Sequence, residues 1–334
     1  MAVLVLTVLL AAANGANDVA KGVATLAGAG VTRYRTAIMW GAATTLLGGV
    51  LAVWLGAAMQ SLFASGIVDT EPTARFALAV LTGTAGWVTV ATLARLPVST
   101  THALVGSLVG VGLMTAPGNV QWSSLLAKVA VPLLAGAVLA YLVTALLTHV
   151  RREQPIGTSV AVDRPRAGQP AVASPVTRRL HWLSSGAVGA ARGLNDTPKL
   201  AAVGGFVLVP AGFAESEVVM LIAVAMAVGA LVAGTRVARR LGDDVVPLTE
   251  EAGLRANITT ALFVGAGAGY GLPLSTTHVS TGAIAGVAGT RTSQLNLPTL
   301  RDFALAWTMT PLTAGLLAGL TYTLSATNAS VGGS

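Results

Sequence analysis

No cysteine occurs anywhere in the 334 residues, which excludes disulfides and thiolate metal sites. Charge is scarce as well: Asp, Glu, Lys and Arg make up 10% of the chain and aromatic residues 5%, against 54% hydrophobic residues. With a mean hydropathy of +0.74, the chain lies outside the soluble globular range and reads as an integral membrane protein. Alternating apolar and polar runs of the strand type are missing, which argues against a membrane β-barrel. Also absent is any Gly-x-x-x-x-Gly-Lys loop, so nothing points to ATP as the energy source.

What remains is a set of apolar stretches of the length that crosses a bilayer as helix. They are expected at 1–30, 36–58, 76–96, 103–116, 124–150, 181–210, 217–238, 257–271, 278–289 and 302–325. The expected fold class is therefore an all-α integral membrane protein. The run Met1 to Ala13 has the look of a signal peptide, but it lacks a basic start and its polar end recurs deep in the chain, so it is read as a first span. The formal net charge of +7 does not form a nucleic-acid patch. Arg33, Arg35, Arg151, Arg152, Arg164, Arg166, Arg178, Arg179, Arg236, Arg239, Arg240, Arg255, Arg291 and Arg301 fall on one set of alternating loops, and Arg75 alone falls on the other, beside Asp69 and Glu71. The positive-inside rule then predicts a multi-pass protein of the cell membrane, with arginine-rich loops in the cytoplasm and both termini outside.

Two polar motifs interrupt the apolar sequence, and each occurs twice. Asn17-Asp18-Val19-Ala20-Lys21-Gly22 is matched by Asn195-Asp196-Thr197-Pro198-Lys199-Leu200. Leu96-Pro97-Val98-Ser99-Thr100-Thr101-His102 is matched, at almost the same separation, by Leu272-Pro273-Leu274-Ser275-Thr276-Thr277-His278. A half-molecule has been used twice: 1–150 is the first repeat and 181–326 the second. Residues 151–180, with Pro155, Pro165, Pro170 and Pro175 and several arginines, are expected to be a disordered cytoplasmic linker, and 327–334 an extracellular tail. Each half holds five apolar segments. Because five is odd, the second half must enter the membrane the other way up, as in the inverted repeats of secondary transporters.

The segments following the Ser-Thr-Thr-His motifs are short, which suits a re-entrant helical hairpin in each half. Pro97 and Pro273 disfavour helix before them and force the polar tips open, where Ser99 or Thr100 can cap the returning helix. The Asn-Asp helix of each half is expected to be broken. The glycine patterns Gly106-x-x-x-Gly110, Gly204-Gly205 and Gly265-x-Gly267-x-Gly269 suit close helix packing in lipid.

Asp18 and Asp196 lie inside apolar segments, where a carboxylate costs roughly 2.5–3.5 kcal/mol at a helix centre on insertion scales. Two accounts fit. Lys21 and Lys199, three residues on and on the same helical face, can form internal ion pairs. Alternatively, the oxygens of Asn17, Asp18, Asn195 and Asp196 form a site for a hard cation, sodium at Asp18 and Asp196 or a proton. The two coexist if the lysine releases the aspartate during a cycle. Ser99, Thr100, Thr101, Ser275, Thr276 and Thr277 place hydroxyls at helix starts, where free N–H groups and the helix dipole favour a small oxyanion; back-bonding to the preceding turn is the alternative. His102 and His278 are open to anion binding, proton relay or a bond to a carbonyl, and no third residue makes a hydrolytic triad of them. Arg192, where the first repeat has Asn14, neutralises an anion, pairs with Asp196 or reaches the interface. Arg95 and Lys128 are read as snorkelling residues.

With its motifs Asn14-Gly15-Ala16-Asn17-Asp18-Val19-Ala20 and Gly193-Leu194-Asn195-Asp196-Thr197-Pro198-Lys199, and with paired Pro-x-Ser-Thr-Thr-His motifs, the chain resembles the inorganic phosphate transporter family, usually called PiT, over nearly its whole length. The resemblance implies two signatures in inverted repeats around a central site and phosphate symport driven by sodium or protons. On matching positions it implies that Asn17, Asp18, Asn195 and Asp196 serve the coupling cation, and that the six hydroxyl residues bind phosphate. Asn14, His102, His278, Lys21, Lys199 and Arg192 are auxiliary candidates. Lys21 departs from the small or amide residue expected after the first signature, since an ammonium competes for the same oxygens as sodium.

The expected function is thus secondary active import of inorganic phosphate by alternating access, with a sodium ion or proton as coupling ion and no other cofactor. Sulfate symport on the same fold and a passive anion channel are the alternatives. The expected partners are phosphate and membrane lipid, with a homodimer reasonable from the glycine-rich faces; no enzyme activity and no nucleic acid are expected.

Overall fold

The computed structural model describes residues 1–69, 73–115, 117–150 and 174–331. Among them the regular structure is helical apart from one isolated bridge between Val68 and Val120. The first half runs α1 (Ala2–Asp18), α2 (Ala20–Gly28), α3 (Tyr34–Leu55), α4 (Ala57–Ala64), α5 (Ala74–Leu93), α6 (Thr100–Thr115), α7 (Trp122–Ser124) and, after a π-helical turn at Leu125–Ala130, α8 (Val131–Val150). The second half runs α9 (Pro175–Leu208), α10 (Glu215–Ala233), α11 (Thr235–Asp243), α12 (Glu250–Gly269), α13 (Thr276–Gly286) and α14 (Leu297–Val331). Among the described residues six stretches are long and apolar enough to cross a membrane: Ala2–Gly28, Tyr34–Leu55, Ala74–Leu93, Trp122–Val150, Glu215–Ala233 and Leu297–Ser325. Large apolar side chains such as Leu134, Leu262 and Leu316 stand exposed on the outer faces, where lipid replaces water as solvent.

Several sequence expectations need correction. Each half carries a short helix beyond the five segments, α4 in the first and α11 in the second; both follow a glycine, Gly56 or Gly234, that closes the preceding helix. The second Asn-Asp helix is not broken, because α9 runs unbroken through Asn195 and Asp196 with Pro198 inside it. In the first, only Val19 interrupts, and its backbone stays right-handed helical at φ −57° and ψ −29°. Neighbours packed on every side hold these turns despite the bond that a proline removes. Of the expected linker 151–180, residues 151–173 lie outside the described residues, but from Pro175 the chain is helix. Ser174 caps it by accepting a hydrogen bond from the Thr177 N–H, with Pro175 pre-set for the first turn. Likewise α14 continues to Val331, into the expected tail 327–334. Helix α12 begins at Glu250, earlier than its apolar stretch, because Thr249 caps it and Glu250 and Glu251 suit the positive end of the dipole.

The halves interleave rather than sit side by side. Helix α3 packs on α9 and α10 packs on α1, while α6 packs on α14 and α13 on α8. Small residues make this possible. A Cβ on Gly15 would lie 1.9 Å from the Met226 carbonyl oxygen, and one on Gly229 1.9 Å from that of Ala12. Gly106 and Gly110 similarly meet Pro311 and Gly315 of α14.

The two hairpins turn by the same device. After α5, Leu96 N–H reaches back to the Ala91 carbonyl and Arg95 adopts φ +61°; after α12, Leu272 N–H reaches the Gly267 carbonyl and Gly271 adopts φ +67°. These are six-to-one helix caps that need one left-handed residue. Arg95 takes that conformation despite its Cβ, at a cost of roughly 1–2 kcal/mol.

A buried charge cluster between two hairpin tips

The Asn-Asp segments of α1 and α9 and the starts of α6 and α13 meet in one buried cluster. Asn14, Asn17, Asp18, Lys21, Arg192, Asn195, Asp196 and Lys199 are each at most 4% exposed. It is the densest set of polar side chains in an otherwise apolar interior, so every charge in it needs a partner.

Asn14 is the node. Its amide nitrogen donates to Asp18 Oδ2 at 3.2 Å, to Thr100 Oγ1 at 3.0 Å and to Asp196 Oδ2 at 3.4 Å, while its oxygen accepts from the Arg192 guanidinium at 3.3 Å. One side chain thus ties both carboxylates to a hairpin tip. Arg192 also donates to Thr45 Oγ1 at 3.2 Å and brings its Nε to 3.8 Å from Asp196 Oδ2. It is buried rather than at an interface, and it lies within ion-pair distance of Asp196.

Each aspartate holds the lysine three residues on, Lys21 at the start of α2 and Lys199 within α9. Lys21 forms an ion pair with Asp18 Oδ1 and also donates to the Asn17 carbonyl at 3.1 Å and Asn17 Oδ1 at 3.0 Å. Lys199 donates to Asp196 Oδ1 at 3.3 Å and to Thr101 Oγ1 at 2.9 Å. Three basic groups therefore face two carboxylates. Among the described residues no group of three or more His, Cys, Asp and Glu stands ready to hold a metal ion.

The amides that flank the aspartates hold the tips. Asn17 donates to the Leu96 carbonyl at 2.9 Å and to Thr92 Oγ1 at 3.0 Å, and accepts from the Val98 N–H at 3.1 Å. Asn195 donates to the Leu274 carbonyl at 3.1 Å and to Asp196 Oδ1 at 2.9 Å. Its own Oδ1 is buried without a hydrogen-bond partner. The tips also touch each other, through the Thr277 hydroxyl donating to the Val98 carbonyl at 2.7 Å.

Ser99 Oγ accepts from the His102 N–H at 3.2 Å, and Ser275 Oγ accepts from the His278 N–H at 3.3 Å, so both serines cap their helices. Ser275 Oγ also lies 2.7 Å from His278 Nδ1. The rings of His102 and His278 stack at 4.6 Å, and Trp307 lies 3.9 Å from His278 while donating to the Pro97 carbonyl at 2.8 Å. Thr276 begins α13 and is buried beside them. A narrow crevice between α6 and α9 is lined by Thr100, Thr101, Leu104, Asp196, Lys199 and Leu200.

The polar residues of the four motifs, with Asn14 and Arg192, lie in this cluster or on the two tips beside it, whereas Arg95 and Lys128 are exposed away from it. Sequence reasoning missed Thr45, Thr92 and Trp307. Thr92 also bonds back to the Val88 carbonyl of its own helix, so nothing in the sequence separates it from an ordinary helical threonine. A tryptophan in an apolar span carries no signal that its N–H reaches a hairpin tip.

A model of the phosphate transporter family matches residues 14–318. A probable low-affinity inorganic phosphate transporter of Mycobacterium bovis is 31% identical over 322 residues, covering 93% of this chain and 74% of its own. One of Rhizobium meliloti is 29% identical over 321 residues, covering 92% and 91%. A putative phosphate permease of Pyrococcus horikoshii is 26% identical over 392 residues, covering 94% of each. Among solved structures, a sodium-dependent phosphate transporter has the same fold, with a TM-score of 0.83 at 22% identity and coverage of 97% of this chain and 98% of that one. From Asn14 to Ala318, therefore, this chain belongs to the phosphate transporter family: it is a multi-pass membrane transporter and not an enzyme.

Proposed function

We propose that the chain is a secondary transporter that imports inorganic phosphate, with the buried cluster as its substrate site. The observation that carries this reading is the charge count: Lys21, Lys199 and Arg192 surround Asp18 and Asp196, leaving one positive charge over where the hydroxyls of Thr100 and Thr101 and two capped helix starts converge. An anion entering between the tips meets donors on both sides, and its charge offsets the desolvation of the surplus cation.

Interleaved packing supports an inverted repeat. Contacts recur in reciprocal pairs, α3 on α9 as α10 on α1, α6 on α14 as α13 on α8, and the short helices α4 on α9 as α11 on α2, and in this reading the arginine-rich α11 is cytoplasmic. In this reading both termini are outside, α5–α6 and α12–α13 are re-entrant hairpins, and access alternates as the tips separate on one side or the other. The gathering of the buried charges in one cluster favours a carrier over a passive channel, which needs a continuous hydrated path with several weak sites.

Phosphate is favoured over sulfate by the acceptors. Asn195 Oδ1 is buried and unpartnered, and Asp196 stands next to it. Sulfate brings no proton to such a site at neutral pH, whereas phosphate does, and a site built to pair a donor rejects an analogue lacking it. Radiolabelled phosphate uptake into proteoliposomes, with pH and sodium gradients set separately and sulfate as competitor, is the test. Uptake that never exceeds equilibrium under any gradient refutes secondary transport, and equal inhibition by sulfate at matched concentration refutes the selectivity.

A further inference from the structure

We propose that Lys21 and Lys199 are built-in counter-ions: their ammonium groups occupy, at Asp18 and Asp196, the places that a coupling sodium would fill, so that this protein carries its substrate without sodium. The inference deepens the phosphate-transport reading and rests on it for the identity of the cargo. Its own claim concerns the cation site.

An ammonium has three N–H donors and no acceptor. Those of Lys21 meet three oxygens, Asp18 Oδ1, Asn17 Oδ1 and the Asn17 carbonyl. Carboxylate, amide and backbone oxygens are the hard donors that a sodium ion needs, and here one tethered cation consumes all three. The site is fully buried, so a sodium ion arriving there displaces a lysine that has no water to retreat to. Two cations on one carboxylate in such surroundings repel each other strongly.

The second half repeats the arrangement with one difference. Lys199 binds Asp196 Oδ1 as Lys21 binds Asp18, but its other bond goes to Thr101 Oγ1 at the start of α6. The ammonium therefore bridges the carboxylate of one repeat and the hydroxyl tip of the other. It stands where an incoming oxyanion needs countercharge, a role otherwise filled by a mobile ion bound together with the substrate. With both lysines fixed, the cluster has its surplus positive charge before any ion arrives, and a monoanionic oxyanion alone brings it to neutrality.

Two measurements on the full-length purified protein decide the matter. Saturable binding of radioactive sodium is expected to be absent in the wild type and to appear in Lys21→Asn or Lys199→Asn, which supply an amide oxygen and remove the resident cation. Phosphate uptake into proteoliposomes is expected to be unchanged when choline replaces sodium on both sides. In Lys21→Asn, sodium is expected to raise phosphate affinity by about 5- to 150-fold, the usual range of coupling between two bound ligands. Saturable sodium binding by the wild type that Asp18→Asn removes, or uptake that stops in choline, overturns the proposal. Should neither lysine variant fold, the wild-type sodium measurements alone still decide. A protein that binds no sodium and takes up no phosphate under any gradient would sink the phosphate reading and leave the assignment of the lysines standing.

Discussion

Replacing Asn14 by alanine removes one amide and, with it, the link among Asp18, Asp196 and Arg192. Asp18 Oδ2 loses a donor at 3.2 Å, Asp196 Oδ2 one at 3.4 Å, and Arg192 an acceptor at 3.3 Å. Hydrogen bonds to charged groups contribute about 1.5–3 kcal/mol each. Asp18 and Asp196 keep their lysines, and Arg192 keeps Thr45, so the loss is partial rather than three full bonds. Counting the shortest contact in full and the two longer ones at half weight gives about 3–6 kcal/mol in total. For a chain of this size, that corresponds to a fall in Tm of roughly 5–15 °C. The assay is thermal unfolding of the purified protein in detergent, followed by tryptophan fluorescence, with phosphate uptake measured alongside. Asn14→Ala is expected to lose both stability and uptake, whereas Asn14→Gln restores neither in full because its amide stands one methylene too far out. A Tm within about 2 °C of wild type, under 1 kcal/mol on the same scale, would refute the view that Asn14 is the node.

Other outcomes follow from single residues. Arg192→Lys is expected to be defective in uptake despite keeping the charge, because one ammonium cannot hold Thr45, Asn14 and Asp196 in the planar spread of a guanidinium; near-normal transport would show that charge alone suffices. Gly15→Ala and Gly229→Ala each drive a methyl into a facing carbonyl at 1.9 Å and are expected to cost about 3 kcal/mol or more, seen as loss of folded protein in the membrane, whereas Gly118→Ala, with nothing within 4 Å, should be silent. Arg95→Gly relieves a left-handed residue at φ +61° and is expected to stabilise the protein by about 1 kcal/mol; no gain in Tm would mean that the Arg95 side chain contributes as much as its backbone costs. Thr100→Val removes the hydroxyl that accepts from Asn14 and should raise the half-saturation concentration for phosphate; an unchanged value takes that hydroxyl out of the site.

The duplicated motifs were legible because polar residues in apolar sequence have few reasons to be there, and the structure collects them in one place. Helix positions were legible for the same reason that lipid demands long apolar runs. Short helices were not: α4 has 8 residues and α11 has 9, too few for a hydropathy run to show. Nor was the continuity of α9 across Pro198, which depends on neighbours in the other half rather than on local preference. The partners of Asn14 lie 86 and 182 residues away at Thr100 and Asp196. A linear pattern shows that such a residue is buried and leaves open what it meets. Arg192 is the clearest case: sequence left three roles open, and its burial against Thr45, Asn14 and Asp196 removes the interfacial one.

The tight seams at Gly15 and Met226, Gly48 and Ala190, and Gly193 and Thr45 also bear on how the protein is made. Helices α1 and α3 find their closest neighbours in α10 and α9, which the ribosome delivers only after the whole first half has been inserted. Until then Asn14 lies in the bilayer without Asp196 and Arg192, two of its four partners. The nascent first half is thus an open clasp that must be held, and expressing it alone should yield a product that surveillance proteases clear. Supplying residues 174–334 as a second polypeptide in the same cell should rescue it.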